Sequence, residues 1–312
     1  MKKKIIISGT TSFIGHHLCQ ELSRDYEVVA TITRPEDEYQ GLKKERLQNL
    51  KGKCFFEVLD LTSKEATEDL IRRIKPNFFI QHAGYTVNYT SQEYDLAVAN
   101  RINVNPLNHI FPLLKTNGCE GIIITGSSAE YSDSDLPHEE NEECKPSTPY
   151  GESKLLETQK AIDLGKKYNL STRVIRVFNT FGKLDASNKL IPLLVEKLKT
   201  NSEVELSPCT QVRSFIQVKC LVDIYRFCLE DLARGGEEIF NGDYKEGVVL
   251  KDFICEMARS LNKPQGLLKF GSMPMRSIEA PKLVASPKKL LQSGYTNSLS
   301  MEQEISLFLQ DL

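Results

Sequence analysis

Through the first half of the chain, short and nearly unbroken apolar runs alternate with amphipathic stretches. The runs Lys4–Ser8, Glu27–Ile32, Cys54–Leu59, Asn77–Gln81, Gly121–Thr125 and Arg173–Phe178 read as strands. Several are almost continuous in Ile, Val and Phe, as parallel strands buried on both faces require. Ser12–Arg24, Lys64–Lys75 and Pro149–Tyr168 carry the helical spacing between them. Ala97–Leu114 has it too, with a kink or break expected at Pro106. Strand–helix alternation at this spacing predicts a doubly wound, mainly parallel α/β sheet.

The rhythm changes after Asn179. Helical patterns (Leu190–Lys199, Leu221–Leu232, Leu250–Leu261, Met301–Leu309) then dominate, divided by short strands and turns. Residues 1–178 therefore read as a Rossmann-type dinucleotide-binding domain, and 179–312 as a smaller α/β domain for substrate. Ser132–Thr148 is acidic and turn-rich, and is expected to be a solvated surface loop.

Charge narrows the partners. The 312 residues hold 40 Lys and Arg against 42 Asp and Glu, a formal net charge of −2. That balance gives no reason to expect nucleic acid or an acidic membrane surface as a partner. Lys2–Lys4 is followed by too short an apolar run for a signal peptide or a membrane span, so a cytoplasmic location is expected. The 8 cysteines include no CxxC pair, which fits free thiols and no metal centre.

The earliest chemistry lies at Ser8-Gly9-Thr10-Thr11-Ser12-Phe13-Ile14-Gly15, where a buried strand turns into a helix. Gly9 permits the sharp turn and Gly15 close helix–strand packing, and the helix start offers N–H groups to a pyrophosphate. The second strand ends at Thr33-Arg34 with no acid before Glu36. A carboxylate at that place would hold the ribose hydroxyls of NAD(H), whereas Thr33 and Arg34 suit a 2′-phosphate. NADP(H) is thus favoured, with NAD(H) the alternative.

A hydride-transfer enzyme also needs a proton donor beside the reacting oxygen. Tyrosine serves when a lysine four residues later stands on the same helix face. This spacing occurs twice, at Tyr39–Lys43 and Tyr150–Lys154. Only the second opens the helix after the fifth strand, and that strand empties into Thr125-Gly126-Ser127-Ser128 at its carboxyl end. Open α/β sheets bind ligands at that edge.

With the glycine turn, this set resembles the extended short-chain dehydrogenase/reductase family, also called the epimerase/dehydratase family, over essentially the whole chain. Ser12 stands where the family fingerprint has its middle glycine. The resemblance implies that Tyr150 is the acid/base, that Lys154 lowers its pKa and holds the nicotinamide ribose, and that Ser127, or its neighbour Ser128, orients substrate. It further implies cofactor contacts at Asp60, Leu61, His82, Ala83, Gly84, Asn103, Thr125 and Phe178. Asn179, Arg213 and Arg276 would contact a nucleotide-diphosphate sugar, and a homodimer is expected.

Dehydratases of the family carry an acid pair directly after the Ser/Thr, and here Ser128-Ala129 stand there. Ser12 and the missing strand-two acid suit an exchangeable cofactor better than a permanently held NAD. The reading is therefore NADP(H)-dependent reduction of a nucleotide-linked keto-sugar at C4. A 4-epimerase is the first alternative, and a non-catalytic nucleotide sensor of the same fold the second.

Overall fold

The apolar runs become strands because their Ile, Val and Phe side chains are excluded from water on both sides. The computed structural model describes residues 2–275 and 280–312. Seven strands form its main sheet: β1 (Lys4–Ile7), β2 (Glu27–Ile32), β3 (Phe55–Val58), β4 (Phe78–Gln81), β5 (Gly121–Ser127), β6 (Ser171–Val177) and β7 (Glu237–Gly242). Their order is β7-β6-β5-β4-β1-β2-β3. The pairs β1·β2, β2·β3, β1·β4, β4·β5 and β5·β6 are parallel. The order reverses between β1 and β4, the place where a doubly wound sheet opens a crevice at its carboxyl ends. The expected fold class is the one observed.

Ile5, Ile6, Ile7, Phe79, Ile122, Ile123 and Ile124 are fully buried. The third strand departs from the expectation of burial on both faces. It is the sheet edge, and Phe55 and Val58 are exposed.

Five helices of ten residues or more accompany this sheet up to β6: α1 (Phe13–Leu22), α2 (Gly41–Leu50), α3 (Lys64–Ile74), α4 (Leu107–Thr116) and α5 (Pro149–Tyr168). The pattern did not announce α2, whose buried face is only Arg46, Leu47 and Leu50. α5 starts where the residues dictate. Thr148 caps it by accepting from the Gly151 N–H at 3.1 Å, and Pro149 occupies the first turn, where it has no N–H to satisfy. Asn169 ends it in the left-handed conformation at φ 49°. Ahead of α4, a short helix (Leu96–Ala99) runs into a π-helical turn (Asn100–Val104), and Pro106 precedes the new helix.

The chain divides into two compact units, and the division crosses the sequence more than once. The first holds residues 1–132, 143–177 and 222–240; the second holds 133–142, 178–221 and 241–312. A single cut near residue 178 therefore does not describe it. In the second unit, Phe181, Leu194, Leu198, Phe253, Met257 and Phe308 share one core. Phe215 stacks on Phe253 at 4.2 Å between ring centres.

The acidic segment expected to be a solvated loop is partly structural. His138 is buried, its N–H bonds the Val284 carbonyl at 2.8 Å, and its carbonyl accepts from Ser286 at 2.8 Å. Glu140 Oε1 accepts from the Asn241 N–H at 2.9 Å. Acidity misled because Glu140 finds its donor inside the second unit.

Candidate active site

The site begins at the turn between β1 and α1. Gly9 lies at φ +75°, and a side chain there would meet the Ala83 backbone nitrogen at 2.8 Å. Ser8 Oγ accepts from the N–H groups of both His82 and Ala83 at 3.0 Å, stitching the ends of β1 and β4 together. Ser12 caps α1, its Oγ accepting from the Gly15 N–H at 3.0 Å. No acid occupies the first turn of α1, so its N-terminal N–H groups keep the positive field of the helix start. The Thr11 carbonyl accepts from Arg46 Nη1 at 2.8 Å, a tie from α2 that the sequence reading did not include.

His82 proves to be a bridge. One ring nitrogen meets Ser12 Oγ at 2.9 Å and the other Thr125 Oγ1 at 3.0 Å. Thr125 Oγ1 continues to the buried Tyr225 hydroxyl at 2.7 Å. Burial, with the Lys154 ammonium nearby, pushes His82 down to about 3, so the ring is neutral and has one donor and one acceptor nitrogen. The serine in the glycine turn thus has a partner that a glycine could not have used.

β5 then delivers Ser127. The Ser127 N–H donates to Glu130 Oε1 at 2.8 Å, and its Oγ accepts from the Ala129 N–H at 3.2 Å. Glu130 is fully buried, and its other oxygen accepts from Arg176 Nε of β6 at 2.8 Å. Removing one partner of such a buried pair costs about 3–5 kcal/mol, so the turn carrying Ser127 is firmly set. The start of α5 presses on it closely. A side chain at Gly151 would come within 2.0 Å of the Ala129 carbonyl oxygen, which only glycine avoids.

That approach brings Tyr150 beside Ser127, whose hydroxyl acts to lower the tyrosine pKa. Tyr150 is half-buried, with the rings of Tyr89 and Tyr94 edge-on at 5.5 and 5.7 Å. Burial is the chief cause of its raised pKa; Lys154 and Ser127 oppose the shift, and Glu157 and Glu130 add to it. Lys154 Nζ donates to the Thr125 carbonyl at 2.6 Å and to Glu157 Oε2 at 2.5 Å. Burial works against this ammonium, yet Glu157 and Tyr150 outweigh it and its pKa is raised. Ser127, Tyr150 and Lys154 therefore meet in one place. Ser128 opens the short turn after them and is half-buried.

The remaining positions fall as follows. Thr33 bonds the Tyr39 hydroxyl through its N–H and Oγ1, both at 3.1 Å, and the Arg34 guanidinium lies 4.6 Å above the Tyr39 ring. The first Tyr–Lys pair is thus a support for the end of β2, and Lys43 is exposed. Asp60 is exposed and accepts from Thr62 at 2.9 and 2.8 Å, and Leu61 is buried. Ala83 is half-buried and Gly84 exposed. Asn103 is fully buried and links Tyr85 N–H (2.8 Å) to Ser153 Oγ of α5 (3.3 Å).

Phe178 and Asn179 belong to the second unit, Phe178 buried and Asn179 bonded to the Ser214 carbonyl at 3.0 Å. Arg213 is buried there, and its guanidinium donates to the carbonyls of Val212, Ala280 and Pro281 at 2.9, 2.7 and 3.3 Å. Arg276 lies outside the described residues.

The residues present fit a nicotinamide dinucleotide. The glycine turn offers N–H groups to a pyrophosphate, the end of β2 offers Thr33 and Arg34, and Lys154 stands at the carboxyl end of β5 beside a tyrosine. Sequence comparison agrees. The sequence model of the NAD dependent epimerase/dehydratase family matches residues 5–241. The chain is 23% identical to CDP-abequose synthase of Salmonella typhimurium, over 100% of this chain and 99% of that protein. It is 22% identical to putative UDP-arabinose 4-epimerase 4 of Arabidopsis thaliana, over 92% of this chain and 71% of that protein. Among solved structures, UDP-glucuronic acid 4-epimerase of Bacillus cereus, in complex with UDP-glucuronic acid and NAD, has a TM-score of 0.81 at 21% identity. That match covers 99% of this chain and 100% of the other, and it establishes the fold.

Proposed function

This chain belongs to the NAD dependent epimerase/dehydratase family, and within that family we propose that it is an NADP(H)-dependent reductase of a nucleotide-linked keto-sugar, acting at C4. The observation that carries this reading is the meeting of Ser127, Tyr150 and Lys154, where burial raises the tyrosine pKa. A bound nicotinamide supplies the hydride. Ser127 and Tyr150 orient the carbonyl oxygen, and the Tyr150 hydroxyl gives its proton to that oxygen as charge develops there. Lys154 stabilises the phenolate left behind and holds the nicotinamide ribose.

Two features support NADP(H) over NAD(H). The end of β2 has no carboxylate where ribose hydroxyls would bind, and Arg34 is stacked on Tyr39, which lowers the entropy lost on gripping a phosphate. The names of the two relatives, a CDP-linked and a UDP-linked sugar enzyme, support the substrate class. The roles of Asn179, Arg213 and Arg276 toward the diphosphate rest on family resemblance alone.

The epimerase relatives favour a second reading, in which the same residues interconvert a sugar hydroxyl on a retained NAD. Mass spectrometry of the denatured protein, with titration by NADPH and NADH, separates the two. Exchangeable NADPH bound much more tightly than NADH is the expected result. Stoichiometric, slowly released NAD would replace the reductase by the epimerase.

A further inference from the structure

Glu157 stands one helical turn beyond Lys154, so the two side chains share a face of α5. Both are almost fully buried, with 9% and 1% of the side chain exposed, and they meet at 2.5 Å. The other carboxylate oxygen, Oε1, is buried and bonds no donor. This carboxylate therefore serves one cation. Burying a charge is costly unless it is paired, and here the pairing is with the lysine beside the tyrosine.

We propose that Glu157 is a positioning residue whose carboxylate offsets the charge of Lys154 and so keeps Tyr150 a proton donor instead of a resting phenolate. The argument comes from the groups around the hydroxyl. On its own helix stand Lys154 and Glu157. From the turn after β5 come Ser127 and Glu130, and Glu130 is already paired with Arg176 of β6. The segment after β4 contributes the Tyr89 and Tyr94 rings, and His82 at the end of β4 faces Lys154 as a neutral ring.

Of the cations near the tyrosine, Lys154 is the one acting to ionise it, and Glu157 is the group placed to cancel that action. Reduction of a carbonyl requires a protonated acid before hydride arrives, whereas oxidation of a hydroxyl begins with a base. The charge coupling thus deepens the reductase reading, and depends on it only for the direction in which the proton moves.

The test is NMR titration of carbon-13 ζ-labelled tyrosine from neutral to alkaline pH, with the Tyr150 resonance assigned by its loss in Tyr150→Phe. Glu157→Gln should lower the Tyr150 midpoint by about one pH unit, the scale of a nearby buried charge. Glu157→Asp, which retains the charge, should bring it back toward wild type. A second pair covers a glutamine variant that does not fold. Lys154→Met should raise the midpoint above that of Lys154→Met/Glu157→Leu, an apolar pair of similar bulk. Coincident midpoints in either comparison would overturn the proposal. The titration uses neither cofactor nor sugar, so failure of the reductase reading would leave its outcome unchanged.

Discussion

Among the described residues, tyrosine, lysine and glutamate meet at the end of the main sheet and again inside the second unit. In the second cluster, Glu304 Oε1 takes the Tyr244 hydroxyl and also accepts from Lys245 Nζ at 2.7 Å, and Glu304 Oε2 accepts from the Gln217 N–H at 2.8 Å. Asp243 joins it, bonding Lys245 Nζ at 3.1 Å. Burial and Glu304 hold the Tyr244 pKa far above the ordinary tyrosine value, and burial pushes Asp243 up to about 6. In the first cluster the carboxylate engages only the lysine, and Ser127 stands beside the tyrosine and acts to lower its pKa.

Perturbed titration marks both clusters and so cannot by itself identify a site. What separates them is ownership of the tyrosine proton. Glu304 claims it in one. In the other it faces a neutral hydroxyl at the carboxyl ends of parallel strands, where ligands of such sheets bind.

The sharpest way to break this contrast is to remove each hydroxyl in turn. Tyr150→Phe should lower turnover about 10³-fold, the scale of a lost general acid, with little change in Tm. Equal turnover would remove Tyr150 from the chemistry. Next in size is the frame of the first cluster. Gly151→Ala must move α5 away from the Ala129 carbonyl, costing about 1–3 kcal/mol in thermal unfolding. The displaced Tyr150 should cost turnover about 10²-fold.

Tyr244→Phe should show the reverse behaviour. It should destabilise by about 1–3 kcal/mol, because Glu304 loses a buried donor, and leave turnover per folded molecule unchanged. A turnover loss comparable to that of Tyr150→Phe would erase the distinction. The smallest effect concerns pH. Asp243 binds its proton more tightly folded than unfolded, where a carboxyl titrates near ~3.9. Its contribution to stability is complete below the unfolded value and is lost as pH rises through about 6. The Tm of Asp243→Asn relative to wild type should therefore rise between about pH 4 and pH 7.

Much of the first unit was legible because its signals are local. Each buried run is contiguous, the glycine turn spans a few residues, and Tyr150 and Lys154 lie one helical turn apart. What escaped depends on residues distant in sequence. Glu130 with Arg176, His82 with Ser12 and Thr125, and Asn103 with Ser153 become partners only when strands and helices assemble. Glu157 is local, but its i,i+3 spacing from Lys154 is also that of an ordinary surface pair, and only burial distinguishes the two. The same reason hid the structural part of the acidic segment, whose Glu140 is answered by Asn241 a hundred positions on.

The central claim is that Tyr150 acts as the donor in net reduction. Its most direct test is single-turnover mixing of the enzyme with NADPH and nucleotide-linked 4-keto-sugars, followed by nicotinamide absorbance and by mass spectrometry of the sugar with deuterated NADPH. The account predicts one NADPH consumed per sugar reduced, with deuterium on the reduced carbon and the step lost in Tyr150→Phe. Interconversion of sugar epimers with no NADPH consumed and no deuterium incorporated would contradict it.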